Sequence, residues 1–88
     1  MNILQILPKL NTGGVETGTV DLAKKLISAK HKAVVVSAGG KLVDELISSG
    51  IRHYTLPVDR KSPINIIKMS KRLAEIIKLE KIGHLISD

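Results

Sequence analysis

Short unbroken apolar runs alternate along this chain with longer stretches in which apolar residues recur every three or four positions. The first run, Asn2 to Leu7, is interrupted only by Gln5 and closed by Pro8. A run of that length predicts a strand buried on both faces of a parallel sheet, and proline ends it because it has no N–H for the ladder. Beyond a loop from Lys9 to Gly14, the residues Val15, Thr19, Leu22, Ala23, Leu26 and Ile27 form the stripe of a first helix. Glu16 and Asp21 lie towards its start and Lys24, Lys25 and Lys30 towards its end, the polarity that suits a helix macrodipole. Ala33 to Ala38 is a β-branched second strand, and Gly39-Gly40 turn the chain into a short second helix carried by Leu42, Val43, Leu46 and Ile47. Gly50 falls just past that helix, where a left-handed residue commonly closes it. Ile51 to Leu56 is a third strand whose Arg52 and Tyr54 share a face. A polar loop follows, with Ser62 as N-cap and Pro63 as first residue of a third helix. Ile66, Ile67, Ser70, Leu73, Ala74 and Ile77 are its predicted stripe, and Gly83 introduces a fourth strand, His84-Leu85-Ile86.

The order β-α-β-α-β-α-β predicts one α/β domain. Its expected form is a three-layer, Rossmann-like parallel sheet with right-handed crossovers and the strand order 3-2-1-4 of doubly wound folds. The domain reads as truncated, since a sheet that stops at its fourth strand is left with a bare edge.

Composition narrows the function classes. A hydrophobic fraction of 43% against 25% charged residues is too apolar for a disordered chain. The absence of cysteine removes a disulfide framework and a thiolate zinc site, and is compatible with the cytoplasm. No signal peptide is read before Ile3 to Leu7, and no apolar stretch approaches the ~20 residues that span a bilayer. The net charge of +6 is spread over every segment. With Tyr54 as the single aromatic residue there is no stacking platform, so nucleic acid is not an expected partner. Peripheral contact with anionic lipid suits a basic surface better.

The most informative stretch is Asn11-Thr12-Gly13-Gly14-Val15-Glu16, between the first strand and the first helix. Ligands of open parallel sheets bind at that edge. Adjacent glycines let a ligand approach the backbone and tolerate positive φ, and the helix start offers free N–H groups to phosphate or sugar oxygens. The spacing Gly13-Gly14-x-x-x-Gly18 is not the dinucleotide fingerprint, and the second strand ends on Ser37-Ala38 with no acid to hold a ribose. No Walker A sequence follows either.

Gly13-Gly14-Val15-Glu16, then Leu22-Ala23 with Leu26, then His31 before the second strand and Gly39-Gly40 after it, resemble the opening of a retaining GT-B glycosyltransferase of the family 4 type. Leu56-Pro57-Val58 before a polar loop and a long helix extend the resemblance over essentially the whole chain. It implies that residues 1–88 are part of a GT-B N-terminal domain, with the C-terminal donor-binding domain absent. It implies a hexosyltransferase-type activity, a nucleotide-sugar donor as co-substrate with no cofactor or metal, and a cell-envelope or other glycan or lipid acceptor. Gly13, Gly14 and Glu16 would be the donor- or acceptor-binding residues. The chain alone would be inactive, a second polypeptide could supply the missing domain, and the location would be cytoplasmic, peripheral at the inner face of a membrane. Two positions depart from the family pattern. Lys30 stands where a glycine usually precedes the histidine, and His84 comes at the start of the fourth strand rather than after it, so no catalytic residue is carried over.

Other residues read as structural. His31, His53 and His84 have no second ligand at metal spacing. Asp44 and Glu45 are adjacent on a helix and diverge, so they form no acid–base pair. Asp59-Arg60-Lys61 reads as a solvated loop that could also meet an acceptor. Two functions of other classes stay open: a stand-alone interaction module that pairs through its open sheet edge, and a small nucleotide-binding protein.

Overall fold

The computed structural model describes residues 1–11, 13–59 and 62–87, and for Val15 and Ser87 the backbone alone. The elements are β1 (Asn2–Ile6), α1 (Gly14–Ser28), β2 (Lys32–Ser37), α2 (Val43–Ser48), β3 (Arg52–Thr55), α3 (Pro63–Leu79) and β4 (His84–Ser87). All strand pairs are parallel and the sheet order is β3-β2-β1-β4, as the alternation predicts. The chain steps outward from β1 through β2 to β3. Helix α3 then carries it back across the sheet to the other side of β1. The strand order therefore reverses at β1, and the crevice beyond the carboxyl ends of β1 and β4 is the switch point of the fold.

Two apolar clusters lie on opposite faces of the sheet. Leu7, Val20, Ala23, Ala33, Val35, Leu46 and Ile51 pack with α1 and α2. Leu4, Val34, Val36, Leu56 and Ile76 pack with α3. The alternation Ala33/Val35 against Val34/Val36 along one strand is what lets β2 serve both layers. Gln5, the polar interruption of β1, is buried and donates from Nε2 to the carbonyl of Thr19 in α1 at 3.4 Å.

The helix faces differ in part from the predicted stripes. In α1, Val20 is buried in the place expected for Leu22, which is exposed. In α3 the inward row is Met69, Leu73, Ile76 and Ile77, whereas Ile66 and Ile67 are exposed. Both rows of α3 are apolar and both satisfy helical spacing, so periodicity alone did not choose between them. In α2, Leu46 is buried while Ile47 faces solvent.

All three helices end alike. Lys30, Gly50 and Lys81 adopt left-handed backbone, with φ of 66°, 82° and 54°. In each case the next N–H reaches back five residues, from His31 to Leu26, from Ile51 to Leu46 and from Ile82 to Ile77, at 2.9–3.0 Å. This is the Schellman closure, which satisfies carbonyls that the helix leaves free. A lysine there is strained where a glycine is not. Lys30→Gly is therefore expected to raise stability by about 1 kcal/mol, the strain of one left-handed residue. A urea denaturation midpoint at or below that of the unmodified chain would contradict this.

Candidate functional site

The carboxyl edge of the sheet carries the loops after β1, β2 and β3. The β1 loop does not hang free. The Leu7 N–H donates to the Val36 carbonyl at 3.1 Å, Ala38 N–H to Pro8 at 2.9 Å, and Leu10 N–H to Gly39 at 2.9 Å. Leu42 N–H donates to Leu10 at 2.8 Å, and Lys41 N–H to Oδ1 of Asn11 at 3.3 Å. Pairing between the first two strands is thus continued by their loops, and Leu10 is fully buried between them. The contact is close at Gly40, whose φ is +150° and where a Cβ would overlap the Leu10 carbonyl and lie 2.9 Å from Oδ1 of Asn11.

Gly13 is the N-cap of α1, with extended backbone (φ −120°, ψ 170°), and its N–H donates to the Asn11 carbonyl at 3.0 Å. Gly14 is the first helical residue. Neither has positive φ; among the described residues the left-handed glycines are Gly39, Gly40 and Gly50. At Gly13 a side chain would overlap the carboxylate of Glu16, which folds back over the helix start. A Cβ on Gly14 would meet nothing within 4 Å. The Gly13 carbonyl accepts the first helical bond, from Thr17 at 2.9 Å, and no side chain caps the N-terminus. The N–H groups of Gly14, Val15 and Glu16 are thus among the unpaired donors of a helix start. They lie at the start of the helix that follows β1, with the partial positive charge that favours an anion. Glu16 opposes that charge from the same turn, so a bound anion would have to displace its carboxylate. Thr12 lies outside the described residues.

A depression of about 280 Å³ opens on the same edge further along, lined by Ala38, Thr55, Leu56, Pro57 and Asp59. None of Gly13, Gly14 and Glu16 lines it. Asp59 is exposed, and Arg60 and Lys61 of the loop singled out in the sequence lie outside the described residues. Behind the depression, Oγ of Ser37 accepts the Gly39 N–H at 3.1 Å and lies 2.6 Å from Nε2 of His53. Burial pushes the His53 pKa below its ordinary value. His31 instead lies against the amino group of Met1, 3.2 Å from Nδ1. Among the described residues no group of three or more acidic or histidine side chains could hold a metal ion.

The strongest electrostatic feature is at the opposite, amino edge, and the sequence reading missed it. Glu80, just past α3, is 1% exposed. Its carboxylate accepts from Nη1 of Arg52 at 2.9 Å, and also from Lys32 Nζ and the Tyr54 hydroxyl. Its carbonyl accepts from Nδ2 of Asn2 at 3.0 Å and Nζ of Lys32 at 3.3 Å. Burial alone would push the carboxyl pKa up; the hydrogen bonds from Lys32, Tyr54 and Arg52 and the Lys32 charge outweigh it and hold the pKa at about 2. One residue at a helix end therefore ties together the starts of β1, β2 and β3. Two signals in the sequence pointed to it. Arg52 and Tyr54 share a strand face that needs polar partners, and a carboxylate at a helix C-terminus opposes the macrodipole and so needs cations elsewhere.

No protein-family model matches the chain, and no curated protein does. Among solved structures, a glycosyltransferase from Rickettsia africae ESF-5 is similar over 98% of this chain, with 38% sequence identity and a TM-score of 0.88. The matched region is 23% of that protein. This chain thus shares its Rossmann-like α/β sheet with less than a quarter of a glycosyltransferase. No helix among the described residues is long and apolar enough to cross a membrane.

Proposed function

We propose that this chain is the acceptor-side, N-terminal Rossmann-like part of a retaining GT-B glycosyltransferase of the family 4 type. In that role it acts with a donor-binding domain to transfer a sugar from a nucleotide sugar to a glycan or lipid acceptor. The similarity to the Rickettsia africae glycosyltransferase, 38% identical over nearly all of this chain, carries the reading. The site supports it: an uncapped helix start at the switch point, beside a glycine whose missing side chain leaves open space, suits the diphosphate of a nucleotide sugar. On this reading Gly13, Gly14 and Glu16 lie at the donor or the acceptor, and one helix start meets only part of the charge on the leaving diphosphate. Alone it is expected to transfer nothing, because the rest of that charge would go unstabilised.

The test is a chimaera in which this chain replaces its matched region in the Rickettsia africae protein, assayed against a panel of nucleotide sugars beside the parent. The chimaera is expected to transfer the parent's sugar, the isolated chain to transfer none, and Gly14→Val in the chimaera to lower kcat/KM about tenfold or more, as crowding of an oriented substrate does. A folded chimaera that is inert where the parent is active would overturn the reading.

The edge of β4 favours a second reading. Among the described residues β4 pairs with β1 alone, and its Leu85 and Ile86, on opposite faces, are 54% and 39% exposed. Such an edge is a template for another strand. It suits a second polypeptide that completes the sheet as well as a module that pairs with copies of itself. Membrane contact and the cytoplasmic location rest on the family resemblance and the basic charge alone.

A further inference from the structure

We propose that Ser37 and His53 position the glycine loop, and that the seat of this loop changes with the charge on His53. Hydrogen bonds joined by short stretches of backbone run from the His53 ring to the N-cap of α1. Nε2 of His53 meets Oγ of Ser37 at 2.6 Å, and Oγ accepts the Gly39 N–H at 3.1 Å. The Gly39 carbonyl accepts the Leu10 N–H at 2.9 Å, and the carbonyl of the next residue, Asn11, accepts the Gly13 N–H at 3.0 Å. Lys41 N–H on Oδ1 of Asn11 joins the same two loops a second time.

The valency of the serine hydroxyl makes the series sensitive to a proton. A hydroxyl has one hydrogen to donate and two lone pairs to accept with. Ser37 is fully buried, so its hydrogen has no water to turn to. With His53 neutral and its hydrogen on Nδ1, 3.5 Å from Oγ1 of Thr55, the Ser37 hydroxyl donates to Nε2 and accepts from Gly39. Every group is then satisfied. With His53 protonated, Nε2 becomes a donor as well. Oγ would face two donors, and its own hydrogen would lose its acceptor in a dry site. Oγ can accept both, but only with its own hydrogen left unpaired in a dry site; turning that hydrogen to a new acceptor shifts Oγ relative to Gly39, and Gly39 holds Leu10.

The charges around His53 do not stabilise its cation. On β2 the neighbours sharing its face are Val35 and Ser37. On the second loop and α2, Lys41, Asp44 and Glu45 are exposed, and Glu45 is paired with Lys24 at 2.8 Å. Arg52 is paired with Glu80, and Asp59 beyond β3 is exposed. Among the described residues His53 has no ion-pair partner.

The response of the loop to His53 does not depend on sugar transfer, and the experiment that reads it uses no substrate. Backbone amide and histidine ring signals of the 88-residue chain are followed by NMR through the range in which histidines titrate. The Leu10, Gly13 and Gly39 amides are expected to shift with the midpoint of the His53 ring. In His53→Gln, at a half-exposed position, those amides are expected to stay fixed. In Ser37→Ala the ring should still titrate while the Leu10 and Gly13 amides no longer follow it. Loop amides that ignore the His53 midpoint in the unmodified chain, or still titrate in His53→Gln, would overturn the proposal, whether or not Ser37→Ala folds.

Discussion

Glu80→Ala is expected to be strongly destabilising. It removes a buried carboxylate and leaves Lys32, Arg52 and Tyr54 without their shared acceptor. Breaking a buried pair by removing one partner costs about 3–5 kcal/mol, and the lower end applies here because Arg52 and Lys32 keep access to solvent. For a domain of this size about 3 kcal/mol corresponds to a melting temperature roughly 12–24 °C lower. Glu80→Gln keeps the shape and one acceptor oxygen, so it should lie between Ala and the unmodified chain. The same group sets an acid limit. Its folded pKa of about 2 lies below the value near 4.3 of an unfolded glutamate, so the unfolded chain binds the proton more tightly. The stabilisation is then complete above the unfolded pKa and is lost as pH falls from there through the folded pKa. Denaturant titrations of the unmodified chain and Glu80→Gln should therefore converge as the pH falls through that window. Parallel curves would mean that Glu80 is not the ionised hub described.

Gly40→Ala should cost a similar amount, and its effect should be seen at the candidate site. The residue would bear a left-handed φ, a strain of about 1–3 kcal/mol. It would also press a methyl group into the Leu10 carbonyl, and overpacking adds about 1–3 kcal/mol. That carbonyl cannot retreat cheaply, because it accepts the Leu42 N–H at 2.8 Å. Gly39→Ala is the internal control: its φ is +107°, but a Cβ there meets nothing within 4 Å, so it carries strain without the clash. Gly40→Ala should be the less stable of the two and should expose the Leu10 and Leu42 amides to hydrogen exchange. Equal stability and equal protection in the two variants would show that the first two loops are not packed as described.

The sheet order was legible because each strand is a short apolar run and each crossover carries a helical stripe, and little else can be built from that alternation. The place of the glycine loop was legible for the same reason, since it follows from the order of elements alone. What its glycines do was not. Gly13-Gly14 drew attention as adjacent glycines, yet the position where backbone must touch backbone is Gly40, and that contact joins residues 30 apart in sequence. Side-chain direction on α3 was also hidden, because Ile66 and Ile67 are as apolar as Met69 and Ile76. Glu80 escaped for a related reason. Its partners come from β2 and β3, and one helix-end carboxylate among several lysines looks like ordinary surface until the sheet brings those strands beneath it.

The place of Glu80 in the chain also bears on the order of synthesis. As the polypeptide leaves the ribosome, β1, β2 and β3 emerge well before residue 80. Lys32 and Arg52 then wait without their acid, and β1, central in the finished sheet, still has one open side. The Asn2 side chain finds the carbonyls of Glu80 and Lys81, and the Gly83 N–H finds the Asn2 carbonyl, only when the end of α3 arrives. β1 is thus secured by residues that lie 78 and 79 positions further along the chain. A nascent chain halted before residue 80 should stay open to proteases and chaperones, and one that carries residues 80–87 clear of the exit tunnel should close.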